Sequence, residues 1–462
     1  MKRALPLLLI AVIVITFIPS APSAQAPSPH MVRVGLLFNN PAISSVEIQA
    51  PAGVSIQSMD GTQLFQNASS TTVALRQAPA GGINAEVNGS VVASAPSEIS
   101  LRPISGHLSF NNISYRGHIN VSRINGGSLN VINVVEVNDY VRGVIGPEIG
   151  PGAPLEAQKA QAVAARTYAA NNVGRHAAHG FDVCILTHCQ VYGGIPRETA
   201  QINRAVDETF NTVGVINGRM VSMVYFASTG GRTAFVEHGW TENAENVWGF
   251  AHPHLVARPS PNETPPNWYH WTHTTTPAQL TTLLAHHNLG TITDIEILSH
   301  TPRGVVTRLR VVGTDGEREF LREAARTFLG ATALRSQAYT LETVRDSAGR
   351  AQSFTFYGRG WGHQVGMSQE GAMAMARRGA NYREILTHYY TGLTFSQLVS
   401  TPPVVTPTPP PVTNLYVIDA AGNRTAVGSE NIQVITENNI RQTLSATRFW
   451  IRSTLGLQEI TR

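Results

Sequence analysis

Cysteine is the scarcest informative residue in this chain, because only Cys184 and Cys189 occur among 462 residues. Two cysteines cannot supply the several disulfides on which small secreted folds depend. We therefore expect a hydrophobic core to stabilise the fold of this chain. Charge is also scarce: Asp, Glu, Lys and Arg make up 14% of the chain, against the usual quarter. The net charge of +4 is too small and too dispersed to indicate a nucleic-acid partner.

Long apolar runs are absent beyond the N-terminus. Residues 5–18 are apolar, follow Lys2 and Arg3, and precede a stretch of small residues. This layout is typical of a secretory signal peptide, with cleavage expected after Ala24 or Ala26. The alternative is an uncleaved anchor, the only membrane attachment that we expect, although the run is short for a full span. We therefore expect a secreted or cell-wall-associated, extracytoplasmic protein.

The pattern of turns and periodic segments predicts an α+β fold. In chain order we expect a signal peptide (1–26), a β-rich N-terminal region (27–100), a mixed core (101–399), a Pro/Thr linker (400–414) and a small C-terminal β module (415–462). Strands are predicted at 32–38, 45–48, 107–137 with a hairpin turn at 125–127, 215–226, 291–312 and 433–436. Helices are predicted at 154–173, 277–289, 317–334 and 369–378.

The helix predicted at 154–173 combines favourable local features. Pro154 suits a first turn, and Glu156 lies where the helix dipole favours negative charge. Several alanines, among them Ala162 and Ala165, form a narrow face that a neighbouring element can approach closely. This segment alone indicates a well-packed core helix.

A second dense segment reads GRGWGHQVGMSQEGA at residues 358–372. Its glycines allow unusual backbone dihedrals and close approach to a ligand. Trp361 and His363 alternate with them and offer a sugar-stacking ring and a hydrogen-bonding group, while Ser368 is a predicted N-cap. No lysine follows, so the segment fits neither nucleotide-binding fingerprint. A Gly-rich turn around a buried Trp is the alternative.

Four ordered segments resemble the stage II sporulation protein D (SpoIID) family. They are EAQKAQAVAARTYAA at 156–170, DVCILTHCQVYGG at 182–194, STGGRT at 228–233 with Trp248 after it, and the Gly-rich segment at 358–372. The resemblance spans about residues 32–398. It implies an exported protein that acts on peptidoglycan glycan strands, either as a lytic transglycosylase or as a non-catalytic enhancer of an amidase.

A lytic transglycosylase needs only one carboxyl group. The C6 hydroxyl of MurNAc attacks C1 of the same sugar, so one acid protonates the leaving oxygen and then accepts the hydroxyl proton. Such an acid must be protonated near neutral pH, which apolar surroundings achieve. We favour Glu148, which has apolar neighbours; Glu156 is the rival, although a helix N-terminus stabilises the charged form. The family's EMP sequence here reads Glu148-Ile149-Gly150.

His and Cys residues cluster between the helix and the third segment. Cys184, His188 and Cys189, with either His176 or His179, would complete a closed tetrahedral zinc site, which we expect to be structural. The alternative is a Cys184–Cys189 disulfide.

The remaining candidates concern the glycan groove. Ser228 and the amides of Gly230 and Gly231 are predicted to bind sugar or acetamide oxygens, because the flanking residues do not form a nucleophile elbow. His363 and Gln369 are predicted to face Glu148 and orient the glycan, with His363 a weaker candidate for a second acid/base. A conventional hydrolase would need a second carboxylate; the candidates are Asp182 and Glu370.

Overall fold

The computed structural model of the chain describes residues 30–40, 43–79, 81–123, 128–231, 239–263 and 269–398, together with six strands between 415 and 461. The predicted signal peptide, linker and turn at 125–127 lie outside these residues. Helices and strands alternate through residues 128–398, and the predicted α+β class is confirmed. Among the described residues, no helix combines the length and apolarity needed to cross a membrane.

Strands dominate the first part of the described chain. They are β1 Met31–Leu37, β2 Ser45–Ala50, β3 Val54–Gln57, β4 Gln63–Asn67, β5 Thr71–Gln77, β6 Ile83–Val87, β7 Ser90–Ala95, β8 Glu98–Pro103, β9 Leu108–Phe110, β10 Ile113–Tyr115, β11 His118–Arg123 and β12 Leu129–Glu136.

The second part carries the helices. It contains α1 Val137–Ile149, α2 Leu155–Asn171, β13 Val183–Cys184, α3 Ala200–Asp207, β14 Thr212–Ile216, β15 Arg219–Met220, β16 Tyr225–Phe226, β17 Gly239–Trp240, α4 Ala244–Trp248 and β18 Pro259–Ser260. A lobe follows with β19 His270–Thr275, α5 Pro277–Leu283, β20 Ile292–His300, β21 Val306–Gly313, β22 Gly316–Leu321, α6 Ala324–Thr327, β23 Tyr339–Arg345 and β24 Ala351–Arg359. The chain then forms β25 Met367–Ser368, α7 Gln369–Arg377, α8 Tyr382–Tyr389 and β26 Thr394–Gln397.

Two sheets and the helices share one hydrophobic core. The strand orders are β13-β1-β12-β11-β8-β3-β4 and β10-β9-β2-β5-β6-β7. Alternating strand residues point inward, as in β2, where Val46, Ile48 and Ala50 are buried. Residue 100, where the predicted N-terminal region ends, lies inside strand β8. The same sheet continues through β11 and β12 to Glu136.

The α2 helix lies at the centre of this core. The predicted helix at 154–173 is confirmed at Leu155–Asn171, with Pro154 as its N-cap residue. Buried positions surround the helix instead of forming one face, and they include Gln158, Gln161 and Arg166. The small alanine side chains let α1, α3, α7 and α8 approach it from several sides.

Three predicted elements differ from the structure. The segment predicted as helical at 317–334 begins as strand β22, because Arg308 and Arg310 on β21 pair across the hairpin with Glu319. The helix predicted at 277–289 ends at Leu283 and is followed by a 3₁₀ turn. The predicted strand pair at 215–226 forms at β14–β15, whereas β16 pairs in parallel with β25.

The lobe (residues 270–359) has its own apolar cluster. Two three-stranded sheets, β19-β24-β23 and β20-β21-β22, enclose buried residues such as Leu309, Phe354 and Phe356. Its first and last residues, His270 and Arg359, are antiparallel partners. Chain entry and exit therefore lie side by side.

The C-terminal strands form three hairpins. They are β27 Leu415–Ile418 with β28 Arg424–Val427, β29 Ile432–Ile435 with β30 Arg441–Leu444, and β31 Arg448–Ser453 with β32 Gly456–Thr461. The compact division of the chain places them in a unit separate from residues 29–400.

Candidate active site and metal centre

Glu148 lies near the end of α1, one residue after Pro147. Because proline has no backbone N–H, the Gly143 carbonyl cannot receive its usual helical hydrogen bond. It accepts instead from the N–H of Gly193 at 3.0 Å. The same segment brings the Val191 N–H within 2.6 Å of Glu148 Oε1. An irregularity in the helix therefore fixes the carboxyl group against a distant part of the chain.

Burial raises the pKa of Glu148 to about 7. Hydrogen bonds from the Val191 amide and the Gln369 side chain act in the opposite direction, because they favour the carboxylate. A carboxyl group with this pKa is about half protonated near neutral pH, so it can both donate and accept a proton.

A chain of polar side chains runs beside Glu148. The Tyr140 hydroxyl donates to Gln190 Oε1 at 3.1 Å, and Gln190 Nε2 donates to the Tyr225 hydroxyl oxygen at 2.9 Å. Burial, with smaller effects that include the Glu148 charge, raises the pKa values of both tyrosines. Both rings therefore stay neutral and add bulk to the wall of the site.

Glu156 has different surroundings. Its Oε1 lies 2.7 Å from Lys159 Nζ, and its Oε2 accepts the N–H of Tyr382 at 2.8 Å. These contacts tie the first turn of α2 to the first turn of α8. The structure thus separates the two candidate acids: Glu148 is held against Val191 and Gln369, whereas Glu156 joins two helices.

His363 is a neutral imidazole inside the protein. Burial, helped by the Arg326 charge, lowers its pKa to about 3. Its Nδ1 accepts the N–H of Val365 at 3.1 Å, and the ring also hydrogen-bonds the Tyr225 backbone. The ring centroid lies 5.2 Å from that of Trp248. These contacts suit His363 to a structural role in the site better than to proton transfer.

The Gln369 side chain hydrogen-bonds Glu148. Gln369 begins α7, whose predicted N-cap, Ser368, accepts the Gly371 N–H at 3.2 Å. Its Nε2 is also 3.4 Å from Gln161 Oε1, on the central helix. The Trp361 ring, in contrast, has the Arg335 guanidinium 4.9 Å from its centroid, so a cation already occupies one face.

The Ser228 loop is organised around a buried carboxylate that the sequence analysis did not single out. Glu263 accepts from the hydroxyl groups of Ser228 and Thr229, each at 2.5 Å. The Gly230 and Gly231 amides donate in turn to those hydroxyl oxygens, at 3.0 and 3.2 Å. These donors are engaged within the loop, so sugar binding by Ser228, Gly230 and Gly231 remains a prediction.

The two candidates for a second carboxylate have different surroundings. Asp182 is buried, which alone would raise its pKa, but bonds from Arg33 and the Gly174 amide hold that pKa below the usual value. Burial and the charge of Glu263 raise the pKa of Glu370.

His176, Cys184, His188 and Cys189 form a cluster whose ligand atoms all lie within 4.8 Å of one another. The nitrogen–sulfur separations are 3.3 Å for His176–Cys189, 3.5 Å for His188–Cys189 and 3.9 Å for His188–Cys184. A tetrahedral zinc ion bound at about 2.3 Å by sulfur and about 2.05 Å by nitrogen would have sulfur–nitrogen edges of about 3.6 Å. The four side chains therefore fit zinc.

The geometry also distinguishes the two upstream histidines. His179 is outside the cluster, and its ring lies 6.0 Å from that of Phe181. Cys184 and Cys189 are free thiols, so the alternative disulfide is not formed. A hydrogen bond from the Cys189 thiol lowers the pKa of Cys184, which favours a thiolate ready to bind a cation.

The metal cluster and the carboxyl site are continuous along the chain. Cys189 is followed directly by Gln190 and Val191, which contact Tyr140 and Glu148. Neither Gln190 nor Val191 was predicted to contribute to the site. Their adjacency to the His–Cys pair was the available signal.

Comparison with known proteins gives two family matches. The family described as stage II sporulation protein matches residues 125–215, which include α1, α2 and the metal cluster. A domain of unknown function, DUF8618, matches residues 251–366, which include the whole lobe.

Three similar proteins each align with more than half of this chain. An uncharacterized protein of Brachyspira hyodysenteriae is 33% identical over 293 residues, which are 62% of this chain and 73% of that protein. Stage II sporulation protein D of Bacillus subtilis is 30% identical over 278 residues, 57% of this chain and 75% of that protein. The amidase enhancer of Bacillus subtilis is 29% identical over 306 residues, 55% of this chain but only 40% of the longer relative. With these matches added to the four segments, the chain belongs to the stage II sporulation protein D family.

Proposed function

We propose that this protein is an exported lytic transglycosylase that cleaves MurNAc–GlcNAc bonds of peptidoglycan glycan strands to 1,6-anhydro products. The observation that carries the proposal is the raised pKa of Glu148, about 7, produced by burial. An acid with an ordinary carboxyl pKa would be almost fully ionised at neutral pH and could not protonate a leaving oxygen.

The proposed reaction uses one carboxyl group, first as an acid and then as a base. Glu148 donates its proton to the glycosidic oxygen as the C1–O bond breaks, and the C6 hydroxyl of the same MurNAc attacks C1. The resulting Glu148 carboxylate then accepts the proton of that hydroxyl, which restores the acid. The Val191 N–H and the Gln369 side chain stabilise the transient carboxylate and fix its direction.

Water is not a reactant in this scheme, so no second carboxylate is required. The engagement of Asp182 with Arg33 favours the transglycosylase over a conventional hydrolase that would use Asp182 as its second carboxylate. The glycan would lie along Gln369, His363 and Trp361, with the Ser228 loop supporting the groove.

We propose zinc as the resident ion of the His176–Cys184–His188–Cys189 cluster. Bound there by four protein ligands, zinc would supply structural cross-linking and no Lewis-acid chemistry. The ligands themselves hold the loop that presents Gln190 and Val191 to the carboxyl site.

The second candidate function is that of a non-catalytic enhancer of a cell-wall amidase, which the name of the Bacillus subtilis relative favours. Both candidates place the protein at the cell wall and outside the cytoplasm. Incubation of the purified full chain with peptidoglycan, followed by mass spectrometry, separates them. Products ending in 1,6-anhydro-MurNAc are expected. Reducing MurNAc ends would indicate a hydrolase, and unchanged glycan with faster release of peptides by an added amidase would indicate the enhancer.

A further inference from the structure

An aromatic surface lies where α4 meets the lobe. The rings of Trp248 and Phe250 are nearly parallel, with an interplanar angle of 26° and centroids 6.4 Å apart. Phe250 is 54% exposed, so its ring is accessible to a ligand. His252 packs edge-on against Phe250 at 5.1 Å.

Arg322 lies directly against this surface. A Cβ added to Gly249, the residue between the two rings, would lie 2.8 Å from Arg322 Cζ. The guanidinium therefore rests against the backbone between Trp248 and Phe250. Arg322 is exposed, and within the described residues its side chain has no hydrogen bond or ion pair.

The backbone of Arg322 is held in a strained conformation. Its φ is +54°, in the left-handed region that arginine rarely adopts. The conformation is fixed because the Arg322 N–H donates to the Thr307 carbonyl at 2.8 Å and the next N–H, of Glu323, donates to Val247 at 3.2 Å. Strain that the surroundings enforce in this way is concentrated at functional sites.

The orientation of the tryptophan is fixed by the same segment. Trp248 Nε1 donates to Glu323 Oε2 at 3.1 Å, so Arg322 and the ring are set relative to each other. The ring also contacts His363. His363 in turn hydrogen-bonds the Tyr225 backbone, and Tyr225 is linked through Gln190 to the segment that holds Glu148. The aromatic surface is therefore linked to the carboxyl site through a series of side-chain contacts.

We propose that Arg322, Trp248 and Phe250 form a subsite that binds a carboxylate-bearing sugar of the glycan strand. This inference rests on the proposed action on peptidoglycan and names a determinant of its specificity. The aromatic rings supply an apolar platform for the C–H face of the sugar. The guanidinium supplies a forked donor that matches a carboxylate. The carboxylate comes either from the lactyl group of MurNAc or from a stem peptide attached to it.

Binding measurements on the full chain test this subsite. Glu148→Gln is introduced throughout to prevent cleavage, and Kd is measured for three probes: peptide-free glycan strands with free lactyl carboxylates, peptide-bearing strands, and carboxylate-free GlcNAc oligomers. Arg322→Asn is the principal variant, because asparagine tolerates the left-handed backbone while removing the charge. Phe250→Ala tests the platform, and Arg378→Gln, an exposed arginine on the core, is the matched control.

Arg322→Asn is expected to weaken binding of a carboxylated strand about tenfold or more and to leave GlcNAc-oligomer binding unchanged. Phe250→Ala is expected to weaken binding of all three probes, and Arg378→Gln to weaken none. Loss confined to peptide-free strands assigns the lactyl carboxylate, and loss confined to peptide-bearing strands assigns the stem peptide. The inference is overturned if Arg322→Asn binds every probe like its parent, if it loses all three equally, or if the parent binds no glycan.

The binding measurements and the product analysis can fail independently of each other. Arg322-dependent binding without anhydro products would refute the transglycosylase and keep the subsite. Anhydro products with Arg322-independent binding would do the reverse.

Discussion

The Val191 amide donates a 2.6 Å hydrogen bond to Glu148 Oε1, although 43 residues separate the two in sequence. Val191 follows Cys189, a member of the His/Cys cluster, by two positions. The loop that carries the proposed metal ligands and the helix that carries the proposed acid are therefore joined at the Glu148 carboxyl group. Four predictions address this arrangement and the lobe beside it.

The two candidate acids should respond differently to loss of charge. Glu148→Gln removes the only proton donor in the proposed scheme, so we expect formation of 1,6-anhydro-MurNAc to fall by at least 10²-fold. Glu156→Gln should retain turnover within a few-fold and cost about 1 kcal/mol of stability, because it weakens the links to Lys159 and Tyr382. Rates come from mass spectrometry of released products. The opposite ranking would move the acid to Glu156.

The raised pKa of Glu148 should make stability depend on pH. The folded protein holds this proton up to about pH 7, whereas the unfolded chain loses it near 4.5. Between these values the folded state binds more protons, so stability falls as pH rises, by at most about 3 kcal/mol. Glu148→Gln should therefore gain stability relative to wild type between pH 5 and pH 8, measured by chemical denaturation. A difference that stays constant over this range would show that Glu148 titrates normally.

Purified protein should carry one zinc ion per chain. Removal by a chelator, or the Cys184→Ser substitution, should lower the melting temperature by several degrees, because the ion would link the His176 and Cys189 ends of one loop. His179→Ala is the matched control and should keep both metal and melting temperature. Elemental analysis and calorimetry give the two readouts. Full metal content in His176→Ala with loss in His179→Ala would reassign the ligand.

A buried ion pair should hold the lobe to the core. Glu242 is fully buried and accepts from Arg303, from Thr301 and from Asn246. Glu242→Ala should cost about 3–5 kcal/mol, because it leaves the Arg303 charge without its partner.

The control for this ion pair is Arg350→Ala, which breaks the exposed pair with Asp346 and should cost much less than Glu242→Ala. Urea denaturation compares the two variants. Equal costs would show that burial adds nothing to the Glu242 interaction.

Local signals predicted several elements well. Helix α2 follows from its alanines and Pro154, and α7 begins where the Ser368 cap was expected. Helix α1 was not predicted beyond a short segment at its start, because Gly143, Gly146 and Pro147 oppose a helix. Tertiary packing overrides them: an added Cβ at Gly143 would lie 2.5 Å from the Tyr192 ring, so only glycine allows this contact.

The site was only partly predictable for a related reason. The four candidate metal ligands fall within 14 residues, so the cluster could be predicted from the sequence. The choice of His176 over His179 depends on the 3₁₀ turn Ala177–His179, which the sequence did not predict. The contact of Glu148 with Val191, and of Glu263 with Ser228, joins segments whose proximity no local pattern encodes. Arg322 at positive φ is likewise a product of tertiary hydrogen bonds.

The side-by-side entry and exit of the lobe at His270 and Arg359 have an evolutionary consequence. Because the chain enters and leaves the lobe at paired residues, the whole lobe can be replaced without separating the segments on either side of it. Related chains can therefore exchange the lobe as one unit. Because Arg322 belongs to the lobe and Glu148 does not, the proposed sugar subsite can change while the proposed acid is kept.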